Sequence, residues 1–392
     1  MDKKRFHKSA SGKCIQAGSG EAAYLASVPH PLPPAIQPDL ALMNVLSDAD
    51  RALGELSGLG RTMPNPHLLI GPFIRREAVL SSRIEGTQTD IANLYAHEAG
   101  QLYLPGFEPV PPESDVREVM NYVRAMEYGL ERLKTLPVSL RFIRELHESL
   151  MEGVRGEHAT PGRFRRSQNW IGRPGCTLNE ADFVPPPPAQ LKECLDLFEK
   201  YLHRNNQHPP LMRLAFIHYQ FEAIHPFIDG NGRIGRLLIS LLLVHWNLLP
   251  LPLLYLSAFF EKRRRDYYDG LTAVSEHGAW REWIAFFLRG VSEQAHDAIR
   301  RAKQLQNLQM EWHQKVTQAR SSALLFPLIN TLFERPILTI PDAQRFLNVT
   351  YRSAKLCIDK LIEMDILVPI IGISHGKTFY AKRILNIIQQ KG

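Results

Sequence analysis

Four cysteines in 392 residues, Cys14, Cys176, Cys194 and Cys357, lie far apart with no CxxC pair. Such a set supplies neither a disulfide framework nor a thiolate zinc site, and it fits a reducing, cytoplasmic setting. No apolar run is long enough to cross a bilayer, so no membrane partner is expected. The start, MDKKRFHKSASGK, is basic but lacks the apolar stretch of a secretory signal. Strand-like alternation is scarce, no internal repeat is present, and the only biased tracts are prolines. These absences exclude a disulfide scaffold, a spanning protein and a repeat array.

What remains is 44% hydrophobic with a net charge of +7, enough apolar material for a sizeable core and enough positive charge to favour polyanions such as nucleotides or nucleic acid. Residues 1 to about 38 are polar, then proline-rich, and read as an arm over the body. From DLALMNVLSDADRALGEL onward apolar residues recur every three or four positions, the pattern of successive helices. QNWIGRPGCTLNEADFVPPPP, 168–188, interrupts them with β-formers on both sides of a Gly/Pro turn and reads as an exposed hairpin or flap. PPLMRLAFIHYQFEAIHPF reads as a helix ending near His225, and RIGRLLISLLLVHW as one apolar enough for the centre of a bundle. A longer helical stretch from Trp280 to about Gln318 reads as an interdomain connection, and the pattern changes after Ala323. The expected division is 1–114 for the arm and first helices, 115–300 for a helical core, 301–322 for a linker and 323–392 for a tail.

The most informative stretch is HPFIDGNGRIGR, 225–236. Pro226 disfavours helical geometry at His225, so one helix ends there and the next begins inside GNGR. The first N–H groups of that helix have no carbonyl partners and carry partial positive charge, and Gly230 and Gly232 let a ligand approach them. Arg233 and Arg236 crowd the same end, which is costly unless an anion compensates. A di- or triphosphate fits, because guanidinium forks match phosphate oxygens. Asp229 then calls for a bridging cation such as Mg²⁺.

These residues closely resemble the signature of the Fic (filamentation induced by cAMP) family, HPFx(D/E)GNGRxxR, at every defined position. The resemblance extends to WIG and FVPPPP in the flap and to YYDGL at 267–271, so that residues 30 to 300 look Fic-like. It implies a mainly α fold, a Fic-type helical bundle with a β-hairpin flap, that transfers AMP from ATP to a hydroxyl side chain of a protein. His225 would take the proton from a Ser, Thr or Tyr hydroxyl. Asp229 would hold Mg²⁺, while Asn231, the backbone of Gly230 and Gly232, and Arg233 would stabilise the departing pyrophosphate. Arg236 would grip the γ-phosphate, and Ile234 and Gly235 complete the nucleotide-binding run. Phe227 would pack inward. Ile171, Gly172 and Arg173 of the flap would align the target by backbone hydrogen bonds, and Tyr267 would contact the adenine side.

A second stretch, SSRIEGT at 81–87, ends a helix read from PFIRREAVLSSRIE. Ser81 and Glu85 are four apart and share a face, Gly86 is a natural left-handed terminator, and Glu85 sits at the negative end of the helix. The stretch matches the family's inhibitory motif, (S/T)xxxE(G/N), at Ser81, Glu85 and Gly86. The resemblance implies that Glu85 pairs with Arg236 in place of the γ-phosphate and that the enzyme rests inhibited.

The tail reads as three helices and a hairpin, resembling a winged helix-turn-helix with Arg352 and Lys355 toward a DNA groove and Lys377 in the wing. Its nine Lys/Arg against five Asp/Glu suit DNA or a protein-docking role equally. The target proteins, self-modification and a homodimer stay open. So do two alternatives: removal of AMP with Glu85 orienting a water, and a nucleotide-sensing, DNA-binding regulator.

Overall fold

Several helix starts along this chain are set by short polar side chains, Asp39, Asp90, Ser139, Thr339 and Thr350, that satisfy orphan N–H groups. In the computed structural model, which describes residues 6, 9–20, 23–63, 67–100, 110–154, 160–173, 175–204, 208–370 and 378–390, Asp39 accepts from Leu42 N (2.8 Å) to open α1, Leu40–Thr62. Helix α2, His67–Ile84, ends at Gly86, whose φ of +103° is open to glycine and costly to other residues. Asp90 caps α3, Ile91–Glu98, and Ser139 caps α5, Leu140–Leu150; between them runs α4, Glu113–Arg132. Then come α6, Pro188–His203, α7, Pro210–Ile224, and α8, Asn231–His245. Helices α9, Ser257–Lys262, α10, Arg264–His277, and α11, Trp280–Gln318, complete the helical body.

Helix α8 is the centre. Every residue from Ile234 to Leu243 is buried, and α2, α4, α5 and α7 pack around it. Gly129 on α4 lets the helices meet closely: a Cβ there would stand 2.8 Å from Leu241 and 2.9 Å from Leu146. The all-round apolar surface of α8 excludes any other position, since a solvent-facing side would expose a row of leucines.

The N-terminal arm lies over the body, but it is more regular than its composition suggested. Strands β1, Gly12–Ala17, and β2, Tyr24–Pro29, pair antiparallel with Cys14 opposite Ser27. Ser27 N donates to Val184 O (2.8 Å), joining the arm to the flap. The six-residue strands are short and half-buried, so their alternation is too brief to separate from a loop pattern.

The stretch expected to be a linker is a continuation of α11, a single helix of 39 residues whose Ala302, Leu305, Leu308, Trp312 and Val316 are buried. It packs along α1 and against α12, Leu325–Glu334, with the hydrophobic core continuous into the tail. The tail continues with β3, Ile337–Thr339, α13, Ile340–Leu347, α14, Tyr351–Glu363, β4, Val368–Pro369, β5, Thr378–Tyr380, and α15, Lys382–Gln389. The sheet order is β3-β5-β4, antiparallel throughout. Thr350 caps α14, its side chain accepting from Ser353 N; β3 and α15 were not foreseen. The buried Arg301 bonds Asp297 (2.7 Å) and the carbonyls of Ile387 and Gln390, fastening α15 to α11.

Leu241→Ala removes a fully buried side chain from the helix that organises the bundle. It should lower stability by about 2–5 kcal/mol, read as a reduced denaturant midpoint.

Candidate functional site

The turn between α7 and α8 is built by residues that hold its backbone. Helix α7 ends at Ile224, and His225 adopts left-handed angles, φ +50° and ψ +60°, before Pro226. A non-glycine residue in that region is strained, so the surroundings must impose it. Arg165, 3% exposed, does so from below: its Nε donates to His225 O (2.9 Å), Nη2 to Pro186 O (2.6 Å), and its own N to Pro226 O (2.9 Å). Asn169 Nδ2 donates to Phe227 O (2.7 Å). Phe227 is buried, as expected, and stacks on His147 with ring centroids 3.7 Å apart. His147 Nε2 donates to Asp229 O (3.0 Å) while its Nδ1 accepts from Gly162 N (3.0 Å).

Asn231 corrects one expectation. It is buried, its Oδ1 accepting from Phe227 N (2.8 Å) and its Nδ2 donating to Phe227 O (2.9 Å). Both polar ends therefore shape the loop, and neither faces outward. Gly230, with φ +77°, starts α8, and Asp229 Oδ1 accepts from Gly230 N (2.6 Å).

His225 Nδ1 lies 3.2 Å from Glu222 O. A carbonyl only accepts, so this nitrogen carries the hydrogen and Nε2 keeps the lone pair that a general base needs. Burial pushes the imidazole down to about 4, opposed by that hydrogen bond. His225 is thus neutral and able to accept a proton near neutrality.

The two arginines are compensated by protein carboxylates. Arg233, 3% exposed, stands 3.3 Å from Glu118 Oε2 and 3.5 Å from Asp229 Oδ2. Arg236, 2% exposed, donates from Nε to Ser81 Oγ (2.8 Å) and from Nη2 to Ser81 O (2.9 Å) and Glu85 Oε1 (2.6 Å). Burial alone would raise the Glu85 carboxyl, but Arg236, with smaller shares from Arg233 and His225, holds it below its ordinary value. Gly232 permits the arrangement, since a Cβ there would collide with Glu85 Oε1. The carboxylate occupies the anion position at the start of α8, where helix dipole and guanidinium coincide.

In the flap, Ile171 and Phe183 exchange backbone hydrogen bonds of 2.8 and 3.0 Å. This corrects the role given to Ile171, whose N–H and C=O are already engaged; Gly172 follows it in a bend. Trp170 and Ile171 are more than a third exposed there.

Comparison with known proteins decides the family. A family model described as Fic/DOC family N-terminal matches residues 43–131, and one described as Fic/DOC family matches 137–243. The chain belongs to the Fic/DOC family. It is similar to the "Protein adenylyltransferase Fic" of Drosophila persimilis, 30% identical over 173 residues, 43% of this chain and 30% of that protein. The protein of the same description from Drosophila grimshawi is 30% identical over 172 residues, 43% and 32% of the two chains. The chain thus aligns with about a third of the length of these curated relatives. A Fic family protein from Desulfovibrio desulfuricans G20 shares the fold, with TM-score 0.56 and 21% identity over 89% of this chain and 98% of that one.

Other expected Fic positions lie elsewhere. Ile234 and Gly235 are buried in α8, and Tyr267 is 1% exposed, its hydroxyl 2.9 Å from His218 Nε2 and its ring stacked on Phe260. It is a core residue that cannot touch a ligand as placed; Tyr268 is the exposed neighbour. Two consecutive tyrosines on a helix cannot be told apart without knowing which face is buried. Arg352 and Lys355 are exposed on α14, Lys355 paired with Asp359 (2.8 Å); Lys377 lies outside the described residues. Among the described residues no helix is long and apolar enough to cross a membrane. Arg165, His147 and Glu118 went unnoticed in the sequence, because no local spacing marks a residue that reaches the loop from another element; Glu222, three residues before His225, reads there only as one more residue of the helix.

Two predictions follow from the loop's buried groups. Asn231→Ala leaves Phe227 N without its acceptor and should cost about 1–3 kcal/mol in a denaturation curve. Burial holds His147 near 4 and His218 near 3, below the unfolded value of about 6.5. Both stay neutral when folded, so the unfolded chain binds more protons in between, and stability should fall as pH drops from about 6.5 toward 4. His147→Asn should give a shallower slope of unfolding free energy against pH over that interval; an unchanged slope would contradict the assignment.

Proposed function

We propose that this chain is a protein adenylyltransferase, transferring AMP from ATP to a hydroxyl side chain of a protein and resting in an inhibited state. The observation that carries this is the pinning of Arg236 by Ser81 and Glu85 at the start of α8, the helix that follows His225, whose Nδ1 is engaged by Glu222 O so that Nε2 keeps its lone pair. An arginine held by an acid that the chain itself supplies, where a nucleotide phosphate belongs, is an occupied anion site.

In the reaction the target oxygen attacks the α-phosphorus, the bond from that phosphorus to the β-phosphate bridging oxygen breaks, and the hydroxyl proton passes to His225 Nε2. First-turn N–H groups of α8 and Arg236 meet the phosphate charge once Glu85 has left. Asp229, with its side chain 53% exposed, suits Mg²⁺, which takes one or two carboxylates and completes its shell with phosphates and water. Bound there, Mg²⁺ would offset phosphate charge. Among the described residues no group of three or more His, Cys, Asp or Glu side chains is placed to hold a metal ion. The flap edge at Gly172 would receive the target backbone. ATP, Mg²⁺ and hydroxyl-bearing proteins are the proposed substrates and partners.

Glu85→Gly removes a charged hydrogen bond worth about 1.5–3 kcal/mol and should raise labelling roughly ten- to a hundredfold, while His225→Ala abolishes it. The measurement is transfer of label to protein from α-labelled but not γ-labelled ATP. Equal labelling by wild type and the Glu85 variant would refute the inhibited state, and transfer of the γ label would refute AMP transfer.

A further inference from the structure

One carboxyl beside Arg236 takes no part in the transfer. Glu222 lies on the last turn of α7, its backbone oxygen accepting from His225 Nδ1. Its side chain reaches α8 at Gly235, where a Cβ would collide with Glu222 Oε1. Glu85 meets the same helix in the same manner at Gly232, one turn earlier. Glycines three apart share a helix face, so the two carboxyls stand side by side on α8, each seated where a side chain is missing. Arg236 follows Gly235, and its Nη1 would lie 2.9 Å from a Cβ on Gly232.

The partners are shared unequally. Glu85 holds the guanidinium at 2.6 Å, whereas Glu222 Oε1 is buried with no hydrogen-bond partner. The charged and titratable groups facing Glu222 are Arg236 on α8, Glu85 after α2, and Tyr267 and Tyr268 on α10. One cation cannot neutralise two adjacent carboxylates in a low-dielectric site, so one of them keeps its proton. Burial, with Glu85 adding to it and Arg236 opposing, pushes Glu222 up to about 8. With Glu85 docked, Glu222 is a neutral acid at neutral pH.

Release of Glu85 changes the balance. It removes a like charge from beside Glu222 and leaves a buried guanidinium uncompensated, and both changes favour ionisation of the remaining carboxyl. Phosphates arriving at Arg236 restore the negative charge and reverse it. We propose that Glu222 is the reserve counter-ion of Arg236, neutral while Glu85 or a nucleotide phosphate holds the guanidinium and ionised when neither does, so that nucleotide binding to the released site takes up a proton. This rests on the nucleotide reading above. The proton comes from solvent and lodges on the Glu222 carboxylate, whose O–H then becomes a donor. Because protons and nucleotide bind together, nucleotide affinity weakens as pH rises between the two Glu222 pKa values, by up to about tenfold per pH unit.

The test uses the full chain. ATP with Mg²⁺ is titrated calorimetrically into Glu85→Gly at neutral pH, in two buffers of different ionisation heat, and the titration is repeated with Glu85→Gly/Glu222→Gln. Proton uptake is expected in the first and absent in the second; equal uptake in both overturns the proposal. Infrared spectra without nucleotide give a second readout. Buried Glu77 can also hold a proton, so the component read is the one that Glu222→Gln removes from the wild-type protonated-carboxyl band; it is expected to be lost in Glu85→Gly as well, and its persistence there, or its absence from wild type, also overturns the proposal. No binding of ATP to Glu85→Gly would instead refute the nucleotide site itself, together with the uptake. Glutamine is isosteric with the protonated acid, so Glu222→Gln should retain the wild-type fold, checked by its melting curve.

Discussion

A guanidinium buried at the start of a buried helix demands an anion, and much of the architecture serves that demand. Arg236 is 2% exposed at the end of α8 that carries partial positive charge. Taking such a group from water without a partner is strongly unfavourable, while breaking an existing pair strands a charge. The chain supplies the partner from α2, a helix more than 150 positions earlier, through Ser81 and Glu85. Gly232 keeps the path open for the carboxylate.

The same constraint explains the rigidity of the surrounding turn. His225 has left-handed angles that a β-carbon resists, and these persist because Arg165, Asn169 and Asn231 hold the neighbouring carbonyls and N–H groups. The imidazole is thereby fixed with one tautomer and one free nitrogen. Chemistry that depends on placing a proton acceptor next to phosphate charge gains from this, because neither group has to reorganise when substrate arrives.

Helix α2 is held on several sides. Besides Arg236 it contacts α9, where buried Glu77 meets Ser257 N (3.3 Å), and α12 of the tail. Arg76 reaches Asp297 (3.5 Å), and Asp297 is bonded by Arg301, which also grips the end of α15. The element carrying Glu85 is therefore packed against the tail as well as the core, and the residues read as a linker form part of that contact.

Legibility differed by element. HPFIDGNGRIGR revealed its turn, its anion-binding helix start and its histidine because all of these arise from neighbours in sequence: proline ends a helix, glycine opens a backbone, and apolar residues on every side of RIGRLLISLLLVHW place α8 at the centre. SSRIEGT likewise disclosed a helix end and a lone carboxylate. Tyr267 was misread because facing is a matter of packing, and Asn231 because a polar side chain can bond its own loop as well as a ligand. Arg165 and His147 carry no local mark at all. The sequence by itself determined the helical periods, the turn chemistry and the charges that had to be answered. Only the tertiary structure decided which acid answers which arginine, because residues that are distant along the chain become partners when their helices share a core.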